Sequence, residues 1–156
     1  MTDVRDSLSR RLLLAGGAVA ATATVANAAN KGDRLVDGVV VLIDRNDPYV
    51  MGHVISYSAN LSRHFAEKGL KLQVEVVANG SGIEVFRADK TPLRDPLATL
   101  RQMVPDITLS MCASSKMIAE AKEHVTIQLI EGATLVPFGI GRVVELQMKG
   151  WAYIHA

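Results

Sequence analysis

The sequence predicts one α/β domain, a three-layer α/β/α sandwich on a mainly parallel five-stranded sheet. Three observations carry that expectation. Val39-Val40-Val41-Leu42-Ile43 is an unbroken, mostly β-branched run, the pattern of a strand buried on both faces. Short apolar runs of this kind alternate along the chain with amphipathic stretches of helical period. The 156 residues are 49% hydrophobic and 21% charged, which describes one folded domain and excludes a disordered chain.

The first residues read as an address. Ser9-Arg10-Arg11-Leu12-Leu13-Leu14 sets two arginines before an apolar run that continues to Val25. Ala26-Asn27-Ala28 then supplies a small-x-small cleavage pattern. The paired arginines and the weakly apolar Ala/Gly/Thr core resemble the twin-arginine (Tat) export signal. Leu12 to Ala28 is short of the ~20 strongly apolar residues of a spanning helix, although a retained anchor is the competing reading. The expectation is a signal peptide over 1–28, a linker over 29–37 and a domain over 38–156. The Tat machinery would then be a partner and the periplasm the destination, with no membrane span after cleavage.

Val39–Ile43 is the first strand, ended by turn chemistry in Asp44-Arg45-Asn46-Asp47-Pro48. Gly52 to Lys68 has helical spacing in Val54, Tyr57, Leu61 and Phe65, with Gly69 as its stop. Leu72–Val77 is a second strand, followed by a short helical piece near Ile83–Arg87. A longer helix runs from Asp95 to Met103, with Asp95 as N-cap before Pro96. Ile107–Met111 is a third strand and Ser114–Glu123 the helix after it. Thr126–Ile130 is ambiguous by period. Thr134–Phe138 reads as the fourth strand, Gly141–Lys149 as the last helix and Trp151–Ile154 as a terminal strand, docked by Trp151 and Tyr153.

With 17 basic and 16 acidic residues the net charge is +1, which gives no electrostatic reason to expect nucleic acid as a partner. A single Cys excludes an intrachain disulfide framework and Cys-rich metal sites. No His-Glu-x-x-His, Gly-x-Ser-x-Gly or Cys-x-x-Cys occurs, and nothing calls for a metal or an organic cofactor. His53 and His64 stand about 16 Å apart along a helix, too far to share a metal. All four histidines read as solvated side chains, and Met51, Met103, Met111, Met117 and Met148 as core filling.

In open parallel sheets the ligand crevice lies beyond the carboxyl ends of the strands. Cys112 falls there, where a strand ends and Ala113, Ser114 and Ser115 open a helix. Free N–H groups and the positive helix end favour a thiolate nucleophile. A buried structural thiol is the alternative. Asn79-Gly80-Ser81-Gly82 reads either as an anion cradle or as a tight turn. Asp44 and Asn46 read either as ligand-binding groups or as caps of their own turn.

These residues resemble the DsrE/DsrF-like family of small α/β proteins of sulfur relay. The resemblance rests on Val76-Val77-Ala78-Asn79-Gly80-x-Gly82-Ile83, on the Cys112 junction, and on Val143-Val144-Glu145-Leu146-Gln147-x-x-Gly150-Trp151-Ala152-Tyr153-Ile154. It implies a flavodoxin-like fold, a homo-oligomer and, in the relay members, a persulfide-carrying Cys at the position of Cys112. The expected function is a persulfide carrier or sulfurtransferase exchanging sulfur with small sulfur species or a partner protein thiol. A non-catalytic binding or scaffolding module of the same fold is the alternative.

Overall fold

Strand β1 (Gly38–Ile43) is buried along its whole length, between β2 (Gln73–Ala78) and β5 (Ala152–His155). That interior position accounts for its continuous aliphatic character. The computed structural model describes residues 37–156. The expected signal peptide and all but the last residue of the expected linker lie outside them. On the other side of β2 come β3 (Ile107–Cys112) and then β4 (Ala133–Val136), giving the order β4-β3-β2-β1-β5. Every pairing is parallel, aligning Val41 with Val76 and Ile154, and Met111 with Leu135.

Parallel neighbours require crossovers, and helices supply them. Helix α1 (Pro48–Ala66) joins β1 to β2; a 3₁₀ helix (Gly80–Phe86) and α2 (Arg94–Met103) join β2 to β3. Helix α3 (Ala113–Glu123) follows β3, and α4 (Gly139–Met148) follows β4. Strand residues alternate between the two faces. Val39, Val41, Ile43, Val76, Leu109 and Met111 pack with Met51 and Val54 of α1 and with Leu97 and Leu100 of α2. Leu97 and Leu100 are fully buried, each contributing about 1.5–3 kcal/mol. Val40, Leu42 and Val77 pack instead with Val143 and Leu146 of α4, with Trp151 against them. The expected three-layer α/β/α sandwich is therefore present, with its five strands all parallel.

Several boundaries differ from expectation for local reasons. Helix α1 starts at Pro48 rather than Gly52, because Asp47 Oδ1 accepts the N–H groups of Tyr49 at 2.8 Å and Val50 at 3.2 Å. Asp95 is not an N-cap: α2 begins at Arg94, and Asp95 sits in its first turn, where its charge suits the positive helix end. Strand β4 stops at Val136 because Pro137 has no N–H for a ladder, and α4 starts at Gly139 rather than Gly141. Thr126–Ile130 supplies only an isolated antiparallel bridge from Leu129 to Arg87.

Two packing expectations are also corrected. Met51 and Met111 fill the core, but Met103, Met117 and Met148 lie on the solvent faces of their helices, 58%, 63% and 83% exposed. His53 is packed rather than solvated, its ring 4.7 Å from those of Tyr49 and Tyr57, since residues four apart stack along a helix.

Candidate functional site

Cys112 is at once the last residue of β3 and the N-cap of α3, and it is only 3% exposed. Caps usually carry the oxygen of Ser, Thr, Asp or Asn. Here the sulfur takes that place and accepts the Ser115 N–H at 3.4 Å. A second helix begins against the same sulfur. A Cβ added to Gly139 would lie 3.0 Å from Cys112 Cβ and 3.1 Å from Asn79 Oδ1, so a glycine lets the first turn of α4 approach this closely. The sulfur therefore lies where the N-termini of α3 and α4 converge.

Electrostatics follow from that convergence. Burial pushes the Cys112 thiol up, but the Ser115 hydroxyl and the N–H groups of Gly139, Ser115 and Ser114 outweigh it. The thiol therefore sits below its ordinary value of 9.0. Ser114 contributes least, and its N–H also points to Pro137 O at 3.3 Å. Ala113 and Ser114 form the first turn of α3, as the sequence suggests.

The Asn79–Gly82 loop is not an open anion cradle. Asn79 donates its N–H to Ile43 O, Gly80 to Ser115 Oγ at 3.0 Å, and Gly82 to Asn79 O. Those donors are already committed within the protein, and Ser81 Oγ reaches Asp44 O at 3.2 Å. Gly80 has a φ of 54°, and a Cβ on Gly82 would stand 2.5 Å from Ile43 O. The loop is thus clamped onto the end of β1. Its link to the start of α3 is the Asn79 side chain, whose Oδ1 accepts from Ser115 Oγ at 3.2 Å.

Asp44 and Asn46 part company. The Asp44 carboxylate lies towards β5, with Oδ1 3.1 Å from His155 Nε2. It does so because β5, and not β3, is the second neighbour of β1. Asn46 borders a cleft of about 320 Å³ together with Gly80, Ser81 and Ser115, and the charged Glu84, Arg87, Lys122 and Glu123 lie farther along it. A second cleft of about 330 Å³ lies under α4, between Ser110, Val136 and Phe138. Its floor carries the buried Glu75 carboxylate, which accepts Ser110 Oγ at 2.7 Å and Arg142 Nε at 2.9 Å.

Sequence reasoning missed Gly139 and the side-chain role of Ser115. The only local signal for Gly139 was a glycine two residues after Pro137, where a strand ends. For Ser115 no local signal exists, because its partners come from the β2 loop.

No curated protein matches the sequence. Among solved structures, a protein of unknown function from Methanobacterium thermoautotrophicum is similar at 27% identity with a TM-score of 0.64, over 76% of this chain and 97% of that one. A conserved protein of unknown function from Bacteroides thetaiotaomicron matches at 16% identity and a TM-score of 0.52, over 77% of this chain and 95% of that one. The ychN protein from E. coli matches at 12% identity and a TM-score of 0.51, over 78% and 100% of the two chains. The latter two likenesses concern the fold alone. Residues 38–156 match the DsrE/DsrF-like family, one often linked to sulfur metabolism, and the chain belongs to that family.

Proposed function

We propose that the protein carries sulfane sulfur as a persulfide on Cys112. The observation that supports this most directly is the convergence of two helix N-termini on a sulfur whose thiol is held below its ordinary value. Those donors stabilise a thiolate before reaction and the terminal sulfur anion after it. With thiosulfate as donor, the Cys112 thiolate attacks the outer sulfur. A new S–S bond forms, the old one breaks, and sulfite leaves with its electron pair. An acceptor thiolate then takes the terminal sulfur, and Cys112 leaves as thiolate. No metal or organic cofactor enters either step.

Export through the Tat route to the periplasm, assembly as a homo-oligomer and exchange with a partner protein thiol belong to the same proposal. Replacing Arg10 and Arg11 with Lys would abolish export if the signal is of that type. The burial of Cys112 favours a second reading, a non-catalytic binding module in which the thiol is structural. In the carrier reading that burial restricts the donor to small sulfur species, or requires the Pro137–Gly139 segment to give way.

The deciding experiment is the intact mass of the protein after incubation with thiosulfate or polysulfide, beside Cys112→Ser. A reductant-reversible gain of one sulfur on the wild type alone is the expected result. No adduct, together with a thiol inert to iodoacetamide in the folded protein, would leave the binding module in its place.

A further inference from the structure

We infer that the cleft under α4 binds a small monoanionic carboxylate on the free edge of the Arg142 guanidinium. The inference goes beyond the carrier reading, and nothing in it depends on the chemistry of Cys112.

The cleft exists because the second face of the sheet is only partly covered. Strands β1 to β4 step across the sheet in one direction, so right-handed crossovers put α1, α2 and α3 on one face, where Met51, Leu97 and Ala119 join one core. The chain then returns from β4 to β5, and among the described residues α4 is the one helix on the other face. A helix about 10 Å wide spans about two strands set about 4.8 Å apart. Val143 and Leu146 cover β1 and β2, which leaves Thr108, Ser110, Thr134 and Val136 of β3 and β4 along an open cleft of about 330 Å³. That is the small end of the range for small-molecule sites.

Arg142 has five N–H donors and spends two of them on Glu75, along its Nε–Nη2 edge. Ser110 Oγ fixes the same carboxylate from β3. The other three N–H groups, two on Nη1 and one on Nη2, have no acceptor at hydrogen-bond distance among the described residues. Glu145 Oε2 marks the approach to that edge, 3.7 Å from Nη1, an ion pair too long for a hydrogen bond. Arg142 and Glu145 both line the cleft. A guanidinium held in one plane by a buried carboxylate, with its end edge open, is pre-organised for a second bidentate acceptor.

The lining selects that acceptor. A planar carboxylate matches two parallel N–H groups. Two carboxylates already flank the single guanidinium, so a dianion such as phosphate is repelled about twice as strongly as a monoanion. Val136 and Phe138, the latter 68% exposed, offer apolar surface to the rest of the ligand. The Glu145 side chain is 65% exposed and has water to turn into when the ligand takes its place.

The test is a titration of isotope-labelled protein with benzoate, followed through the amide signals of Thr108, Thr134 and Phe138 and the Nε–H signal of Arg142. Benzamide and inorganic phosphate serve as counter-probes, with thermal melts alongside. Benzoate is expected to saturate the cleft signals with a Kd of about 1 mM, and each counter-probe to bind at least about tenfold more weakly. Arg142→Lys keeps a cation for Glu75 but loses the fork, and weakens benzoate about tenfold or more. Glu145→Gln removes the competing charge and tightens benzoate about two- to fivefold.

A purely structural role for the Glu75–Arg142 pair predicts neither the gain in Glu145→Gln nor the preference for benzoate over benzamide. No saturation, benzamide or phosphate binding as tightly as benzoate, unchanged affinity in Arg142→Lys, or no gain in Glu145→Gln each overturns the inference. If Arg142→Lys does not fold, the double variant Glu75→Met with Arg142→Met takes its place, and benzoate binding to it at wild-type strength overturns the inference as well. The sulfur adduct on Cys112 is read by mass without benzoate, so either reading can fail without the other.

Discussion

Gly139 stands against Cys112 so closely that a Cβ on it would lie 3.0 Å from the Cys112 Cβ. That contact brings the N-terminus of α4 to the sulfur. Gly139→Ala needs a shift of a few tenths of an ångström at both Cys112 and Asn79. The variant is expected to lose about 1 kcal/mol of stability, by overpacking, and to label several-fold more slowly at neutral pH as the N–H is moved off the sulfur. Denaturant melts and iodoacetamide rates check the two effects separately. An alkylation rate equal to wild type would show that α4 contributes nothing to the thiolate.

Two glycines of similar appearance in the sequence should respond with opposite sign. A Cβ on Gly52 meets nothing within 4 Å in the interior of α1, so Gly52→Ala should stabilise the protein by about 0.5–1 kcal/mol. A Cβ on Gly82 would lie 2.5 Å from Ile43 O and 2.8 Å from Asp44 N, all backbone that cannot turn aside. Gly82→Ala should cost about 3 kcal/mol or more. Urea midpoints of the two variants make the comparison directly.

Arg87 is 1% exposed and ties the end of the 3₁₀ helix to α3, donating to Asp89 at 3.0 and 2.7 Å and to Glu123 at 2.8 Å through each of two nitrogens. The hydrogen bonds from Arg87, then those from Lys90, hold the Glu123 carboxyl at about 2. A depressed carboxylate contributes stability that is present above its ordinary value of 4.5 and is lost as pH falls towards about 2. The wild type should therefore lose stability over that window, and Arg87→Met should lose less of it. At pH 7 the variant should be weaker by roughly 2 kcal/mol, because the partly exposed carboxylates recover water when the guanidinium goes. Melting temperatures from pH 7 down to about 2 test both statements.

Glu75 is 2% exposed and depends on Arg142 Nε at 2.9 Å, Arg142 Nη2 at 2.7 Å and Ser110 Oγ at 2.7 Å. Arg142→Met alone leaves a buried carboxylate without its cation and should cost about 3–5 kcal/mol. The double variant Glu75→Met with Arg142→Met removes both charges and should recover most of that loss. A double-mutant cycle measured by urea unfolding gives the coupling. Strict additivity of the two single changes would mean that the pair is not coupled in the folded protein.

Local pattern alone made the layers and the Cys112 junction legible. Val39–Ile43 reads as an interior strand because a continuous aliphatic run can only be buried on both faces. Cys112 reads as a strand-to-helix corner because the apolar run Ile107–Met111 meets small helix-starting residues without a gap. Both signals lie within about ten residues of chain, the range over which periodicity and capping act. A local signal was misweighed at Asp47 and Asp95, two acidic residues that look alike in the sequence but stand at the starts of different helices. Asp47 lies just before its helix and accepts the N–H groups of Tyr49 and Val50, whereas Asp95 is already inside α2.

The rest depends on which strands become neighbours, and that is a property of the whole sheet. Asn79 and Gly80 meet Ser115 across 36 and 35 residues, and Glu75 meets Arg142 across 67. Parallel β2 and β3 bring the first pair of loops together at the carboxyl ends of the strands, and the return of the chain through β4 brings the start of α4 to the same corner. The Asp44 carboxylate is carried to His155 rather than to the sulfur by the same strand order. A sequence motif can place a cysteine at the end of a strand. Which donors surround its sulfur is decided when nonlocal strand pairing and side-chain burial select one arrangement from many that the local pattern allows.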